Sequence, residues 1–227
     1  MRPDFDPLDD PPWAMQLVVR AEKADPPAHG AVCAAAAAAV VRLLTDPRAT
    51  EPDGEWRASV HAWESRRIRK VTRRARGVRW PEAQALPGVT ARHAGAQVRA
   101  FPPGPVSDVP PELAKLQVAG LDLAEAGEPA PPPEPPYAAI ALNPDVTMTT
   151  GKAAAQCGHA AQLLLRQGKR RHVAAWLEAG ARVHLTRDVP WRACVKEARG
   201  RDRVAVRDGG FTEVPPGTMT AIAWIVR

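Results

Sequence analysis

Lys152 and Gln156 stand four residues apart in the stretch Gly151-Lys152-Ala153-Ala154-Ala155-Gln156-Cys157-Gly158-His159. On a helix that spacing puts both side chains on one face. Lys152 then falls in the first turn, where backbone N–H groups are unpaired and the helix dipole is positive. A full cation at that point suits a phosphate or a developing oxyanion. Asp208 and Thr212 are also four apart, at a junction between strand and loop. A carboxylate orients or deprotonates water, and a hydroxyl hydrogen-bonds it. These are the residue types of a water-activating site with a grip on phosphate.

The elements that must position them alternate. Tyr137–Leu142 is short and apolar, as a buried strand is. A loop follows, and Thr149 or Thr150 can cap the next helix through its side-chain oxygen. The pattern predicts helices over Gly151–Gln167, His172–Ala179 and Trp191–Ala198, the last opened by Asp188 and Pro190. It predicts strands over Ala181–Thr186, Arg203–Val206 and Thr218–Val226. The first half has the same order: a strand at Met15–Arg20, an Ala-rich helix at Gly30–Leu44, a helix containing Trp63, and a basic strand from Ile68. A short helix at Pro81–Leu86 and a strand at Val89–His93 follow, then a short helix from Pro110 through Leu116. Strands alternating with helices imply an α/β fold, a mixed β-sheet flanked by helices on both faces.

Between the halves, Glu125–Pro136 is so rich in proline that it excludes helix interiors and central strands. It reads as a semi-rigid linker, dividing the chain into 1–124, 125–136 and 137–227. Overlaying the halves at an offset of 123 places Arg20 on Asn143, Glu22 on Asp145, and one Ala-rich helix on the other. An offset of 113 places Trp63 on Trp176. The order of elements, more than identity, suggests two tandem lobes from an internal duplication. Pro105–Leu123 has no counterpart in the second half.

Composition narrows the function classes. The net charge is +6, and the excess is concentrated: Arg66, Arg67, Arg69, Lys70, Arg73, Arg74, Arg76 and Arg79 run together without an acidic residue. That block favours a polyanionic partner. No apolar run reaches the roughly 20 residues of a membrane helix, and Met1–Pro12 is acidic and proline-rich, unlike a basic signal peptide. A cytoplasmic protein is expected. Cys33, Cys157 and Cys194 have no metal-ligand spacing and read as reduced core thiols.

Asp145, then Met148-Thr149-Thr150-Gly151-Lys152 and Ala153-Ala154-Ala155-Gln156-Cys157-Gly158-His159-Ala160 resembles the first strand, loop and helix of type-2 peptidyl-tRNA hydrolases. A second block agrees: Asp208-Gly209-Gly210-Phe211-Thr212-Glu213, then Pro216-Gly217-Thr218-Met219-Thr220, is similar to that family's Asp-Ala-Gly-x-Thr and Pro-Gly-Thr-x-Thr. The resemblance covers residues 137–227. It implies hydrolysis of the ester of N-blocked aminoacyl-tRNA, with Lys152, Gln156, Asp208 and Thr212 at the chemistry and His159 and Thr218 contacting substrate. It implies no metal or organic cofactor. The alternative is a tRNA- or RNA-binding, translation-associated module that kept the fold and lost the chemistry. Two departures remove positive charge: Thr150 stands where the family often has a second lysine, and Phe211 where it often has arginine.

The first half departs further. It offers His29 in place of Lys152, Cys33 in place of Gln156, and His93-Ala94-Gly95 in place of Asp208-Gly209-Gly210. It reads as a catalytically dead copy. The family resemblance implies homodimers, so the fused halves would form a pseudo-dimer within a monomer, though a homodimer remains open. Arg66, Arg67, Arg69, Lys70, Arg73 and Arg74 would then supply a replacement grip on peptidyl-tRNA.

Overall fold

The computed structural model describes residues 12–125, 130–187, 189–198, 202–210 and 213–227. In chain order these form β1 (Trp13–Arg20), α1 (His29–Leu44), α2 (Pro47–Thr50), α3 (Arg57–Glu64), β2 (Arg69–Ala75), α4 (Arg79–Ala85), β3 (Val89–His93), β4 (Ala96–Ala100), β5 (Gly104–Pro105) and α5 (Pro111–Ala114). The second half forms β6 (Tyr137–Leu142), α6 (Thr150–Gln167), α7 (Arg170–Glu178), β7 (Val183–Leu185), α8 (Trp191–Glu197), β8 (Arg203–Arg207) and β9 (Met219–Val226).

Two mixed sheets result, ordered β2-β1-β4-β3 and β7-β6-β9-β8, with β5 added to β1. In each, the first strand pairs parallel with the second and antiparallel with the last, and the last two pair antiparallel. The lobes therefore have the same topology. Their buried tryptophans make the same bond: Trp63 Nε1 donates to Arg69 O at 3.1 Å, and Trp176 Nε1 to Arg182 O at 2.8 Å. A buried indole N–H needs such a partner, and in both lobes it comes from the chain entering the edge strand.

Helices cover both faces of the sheets. β1 shows why its sequence is almost continuously apolar. Met15, Leu17 and Val19 face the main core, and Val18 faces the cluster built from Trp80, Ala83, Leu113 and Leu116. On the inner side, α1 packs against α6. Their facing alanines bring the axes close, and residues of both lobes share one apolar core. Ala141, Ile222 and Cys194 of α8 close the outer face of the second sheet.

Three elements were absent from the sequence expectations: α2, β4 and β5. The hairpin from β3 to β4 turns at Ala94 and Gly95, both with positive φ, and β4 is only five residues long. Pro105–Leu123, which had no assigned role, supplies α5 and then crosses between the lobes. Arg74 N donates to Gln117 O at 3.0 Å, and Gly151 N to Leu121 O at 3.0 Å. His29 N then donates to Ala124 O at 3.1 Å. This segment, with Ala124 directly after it, ties β2 to the N-termini of both central helices. The linker contains no helix or strand among its described residues.

Candidate functional site

The N-terminus of α6 is fixed from three sides. Thr149 is the cap, its hydroxyl oxygen accepting from Lys152 N at 3.3 Å. Glu213 accepts from Thr149 N at 2.8 Å and from its hydroxyl at 2.7 Å, tying the loop after β8 to the helix. Thr150 is buried. Its hydroxyl oxygen accepts from Leu123 N at 2.8 Å and lies 3.0 Å from His29 Nδ1. Thr150 thus binds the other lobe, at the position where the family often has a lysine.

Asp208 follows β8 directly and is buried. Its Oδ2 accepts from Lys152 Nζ at 2.5 Å and from Gln156 Nε2 at 2.8 Å, and its Oδ1 accepts from Gly210 N at 2.8 Å. Gly210 has φ +75°, and an added Cβ there would lie 2.6 Å from Pro216 Cδ, so only glycine forms this turn. Gln156 Oε1 accepts from the Thr220 hydroxyl at 2.5 Å. That bond fixes the orientation of the amide, so its nitrogen faces Asp208. Lys152 and Asp208 leave 11% and 6% of their side chains exposed, which keeps the pair poorly screened.

The ion pair opens on a cleft of about 1100 Å³ between the lobes. One wall is α6, with Lys152, Gln156 and His159. The second is the end of β8 and the loop after it, with Arg207, Asp208 and Glu213. The third belongs to the first lobe: Arg67 to Thr72 and Val118 to Gly120. The first lobe therefore forms one side of the space that Lys152 and Asp208 face.

The residues expected from sequence are distributed as follows. Lys152, Gln156 and Asp208 come together. His159 lines the same cleft, its Nδ1 3.2 Å from Lys70 Nζ. Burial, and then the charges of Lys70 and Lys152, hold its pKa well below the usual histidine value. Thr218 closes its own turn, its hydroxyl donating to Pro215 O at 2.7 Å. Asp145 is exposed and stands outside the cleft lining. Thr212 and Phe211 lie outside the described residues, as does Asp188.

The basic run is not one surface. Side chains alternate across a strand, so β2 sends its cations to opposite faces. Lys70 reaches toward α6 and donates to Gln162 Oε1 at 2.6 Å, and burial pulls its pKa well below that of an ordinary lysine. Arg73 turns the other way, donating to Gln16 Oε1 at 2.9 Å and Leu116 O at 3.0 Å. Arg74 binds the Gln117 side chain and Gly120 O. Arg66 stacks on Trp13, 5.1 Å from its ring centre. Arg67 and Arg69 line the cleft.

Sequence reasoning missed Thr220, Glu213, Thr149's double role and Arg207, which lines the cleft and donates to Gly217 O at 3.1 Å. Thr220 had a signal, since Thr218 and Thr220 both sit in the second block, but only the strand register shows which one points inward.

The profile of the family described as Peptidyl-tRNA hydrolase PTH2 matches residues 137–225. A peptidyl-tRNA hydrolase of Pyrobaculum aerophilum is 40% identical over 93 residues, which cover 37% of this chain and 78% of that protein. This chain belongs to the type-2 peptidyl-tRNA hydrolase family. Family membership rests on the second lobe, which holds every bond of the Lys152–Asp208–Gln156–Thr220 cluster. The mixed α/β fold agrees with it. Among the described residues, no helix is long and apolar enough to cross a membrane.

Proposed function

We propose that the chain hydrolyses the ester bond of N-blocked aminoacyl-tRNA, releasing peptide and tRNA. The observation that carries this reading is the Lys152–Asp208 pair, braced by Gln156 and Thr220, at a helix N-terminus facing the interlobe cleft. Asp208 orients the attacking water and takes up its proton. The water oxygen bonds to the ester carbon, the bond to the ribose oxygen breaks, and that oxygen takes the proton from Asp208 and leaves as the free tRNA hydroxyl. Lys152, with the helix dipole behind it, stabilises the oxyanion. Gln156 holds the Asp208 carboxylate in place, and Thr212 positions the water. The relative's name supports the substrate.

The first lobe, in this reading, is a degenerate copy fused in place of a second subunit, so that one chain makes its own pseudo-dimer and works as a cytoplasmic monomer. The shared topology and the matched tryptophan bonds support duplication. Arg67 and Arg69 are its contribution to holding tRNA phosphates. A second reading, tRNA binding without turnover, is favoured by Thr150, whose hydroxyl is committed to the first lobe. Release of labelled peptide from N-acetyl-aminoacyl-tRNA separates the two. Turnover supports the hydrolase, and stoichiometric binding without release supports the second reading.

A further inference from the structure

We propose that the part of the interlobe cleft beyond Gln156 is the subsite for the peptide chain of the substrate, with His159 as a neutral hydrogen-bond donor to its backbone. This rests on the hydrolase reading and adds the direction in which the substrate lies.

Lys152, Gln156, His159 and Leu163 are spaced four, three and four apart, so they form one stripe along α6, and all four line the cleft. The stripe changes character along its length. Its first turn holds the Lys152–Asp208 pair. Toward its far end Leu163 and Ile68 of the first lobe line the cleft, beside the side chains of Arg67, Arg69 and Lys70. Phosphates favour the charged end. An apolar channel with few polar groups suits acyl and peptide groups.

His159 is the polar side chain that α6 adds to that part of the cleft, and its state is set from the other lobe. Gln162 Nε2 donates to Glu64 Oε1 at 3.0 Å, which turns the amide oxygen toward Lys70. Lys70 Nζ donates to that oxygen at 2.6 Å, lies 3.2 Å from His159 Nδ1, and sits 4.8 Å from the Trp63 ring centre. In the proposed tautomer Nδ1 accepts from Lys70 and the imidazole proton resides on Nε2. The ring therefore offers the cleft an N–H and no charge. Burial and the two neighbouring lysines keep it neutral. A neutral donor in apolar surroundings matches a peptide carbonyl better than a phosphate, which pairs best with a cation. Gly158 makes the arrangement fit, because the Lys70 stem passes where a Cβ would stand, 3.1 Å from its Cδ.

The geometry also gives a length. Seven residues of helix separate Lys152 from His159, roughly 10 Å at about 1.5 Å per residue. An extended peptide advances about 3.3 Å per residue. The donor therefore reaches about the third residue from the ester. A substrate with a single blocked amino acid would not touch it.

The test compares KM for tetrapeptidyl-tRNA and N-acetyl-aminoacyl-tRNA carrying the same tRNA and terminal residue. In the wild-type chain the longer substrate has the lower KM. In His159→Leu the ratio of the long-substrate KM to the short-substrate KM rises about tenfold, the loss of one hydrogen bond in a desolvated site. His159→Gln, which keeps a neutral N–H, retains most of the preference. Ile68→Ser, on the facing wall, moves the ratio in the same direction as His159→Leu, so the conclusion does not depend on one variant folding. An unchanged ratio in both His159→Leu and Ile68→Ser overturns the subsite, as does an equal rise for both substrates, which would place tRNA there. If the wild-type chain turns over neither substrate, the hydrolase reading itself fails.

Discussion

Replacing Thr220 with valine removes one hydroxyl and keeps the shape of a β-branched strand residue. Thr220 is fully buried in β9, and its hydroxyl donates to Gln156 Oε1 at 2.5 Å. Without it the amide oxygen is left buried and unpaired, which costs about 1–3 kcal/mol. The amide then gains by turning or withdrawing, and Asp208 Oδ2 loses the donor now at 2.8 Å. A hydrogen bond to a charged group is worth about 1.5–3 kcal/mol. If it positions the carboxylate in the transition state, kcat falls about ten- to hundredfold. KM moves little, because Thr220 does not line the cleft. Single-turnover peptide release measures kcat, and thermal unfolding measures the stability cost. Activity within twofold of wild type, with a lowered unfolding midpoint, would show that the Gln156 bond to Asp208 supports the fold and not the reaction.

Four further outcomes follow from the same geometry. Arg67→Glu with Arg69→Glu should weaken tRNA binding and flatten its salt dependence by about 0.7–0.9 in log–log slope for each phosphate no longer neutralised, measured by filter binding across a salt series. Arg73→Glu should instead lower the unfolding midpoint, because Arg73 binds Gln16 and Leu116 inside the first lobe. The depressed pKa of His159 means that the unfolded chain binds its proton more readily than the folded one. Stability is therefore complete above the ordinary histidine value of about 6.5 and declines as pH falls below it. His159→Gln should flatten that acid limb in unfolding scans from neutral pH to about pH 5. Gly158→Ala should destabilise by about 1 kcal/mol through overpacking, since the new methyl would lie 3.1 Å from both Lys70 Cδ and Val40 Cγ2. A stabilised Gly158→Ala protein would mean that the seam between the lobes is loose there.

Much of the fold is written locally. The strand at Tyr137–Leu142, the Ala-rich helices and a threonine cap at 149 or 150 follow from short-range pattern and chemistry, and the structure seats the cap on Thr149. The Lys152–Gln156 spacing likewise places both side chains on one face, and Asp208 meets them there. What was not legible depends on contacts between distant segments. The run from Arg66 to Arg79 looks like one basic patch until the pleat of β2 turns Arg73 into its own lobe and Lys70 toward α6. Thr218 and Thr220 are alike in sequence, and the start of β9 decides that the first closes a turn and the second enters the site. Thr150 looks like a lost lysine, but its hydroxyl joins the lobes through Leu123 and His29. No local signal marks Pro105–Leu123 as the strap between β2 and α6, because its role lies in backbone bonds to both.

The central claim is that Lys152 and Asp208 act as one unit in hydrolysis. A double-mutant cycle tests it most directly. Single-turnover release of labelled peptide from peptidyl-tRNA would be measured for wild type, Lys152→Ala, Asp208→Ala and the double variant. The 2.5 Å contact between the two groups predicts a large loss in each single variant and little further loss in the double. Full activity in both single variants would contradict the account, and strictly additive losses would show that the two residues work apart.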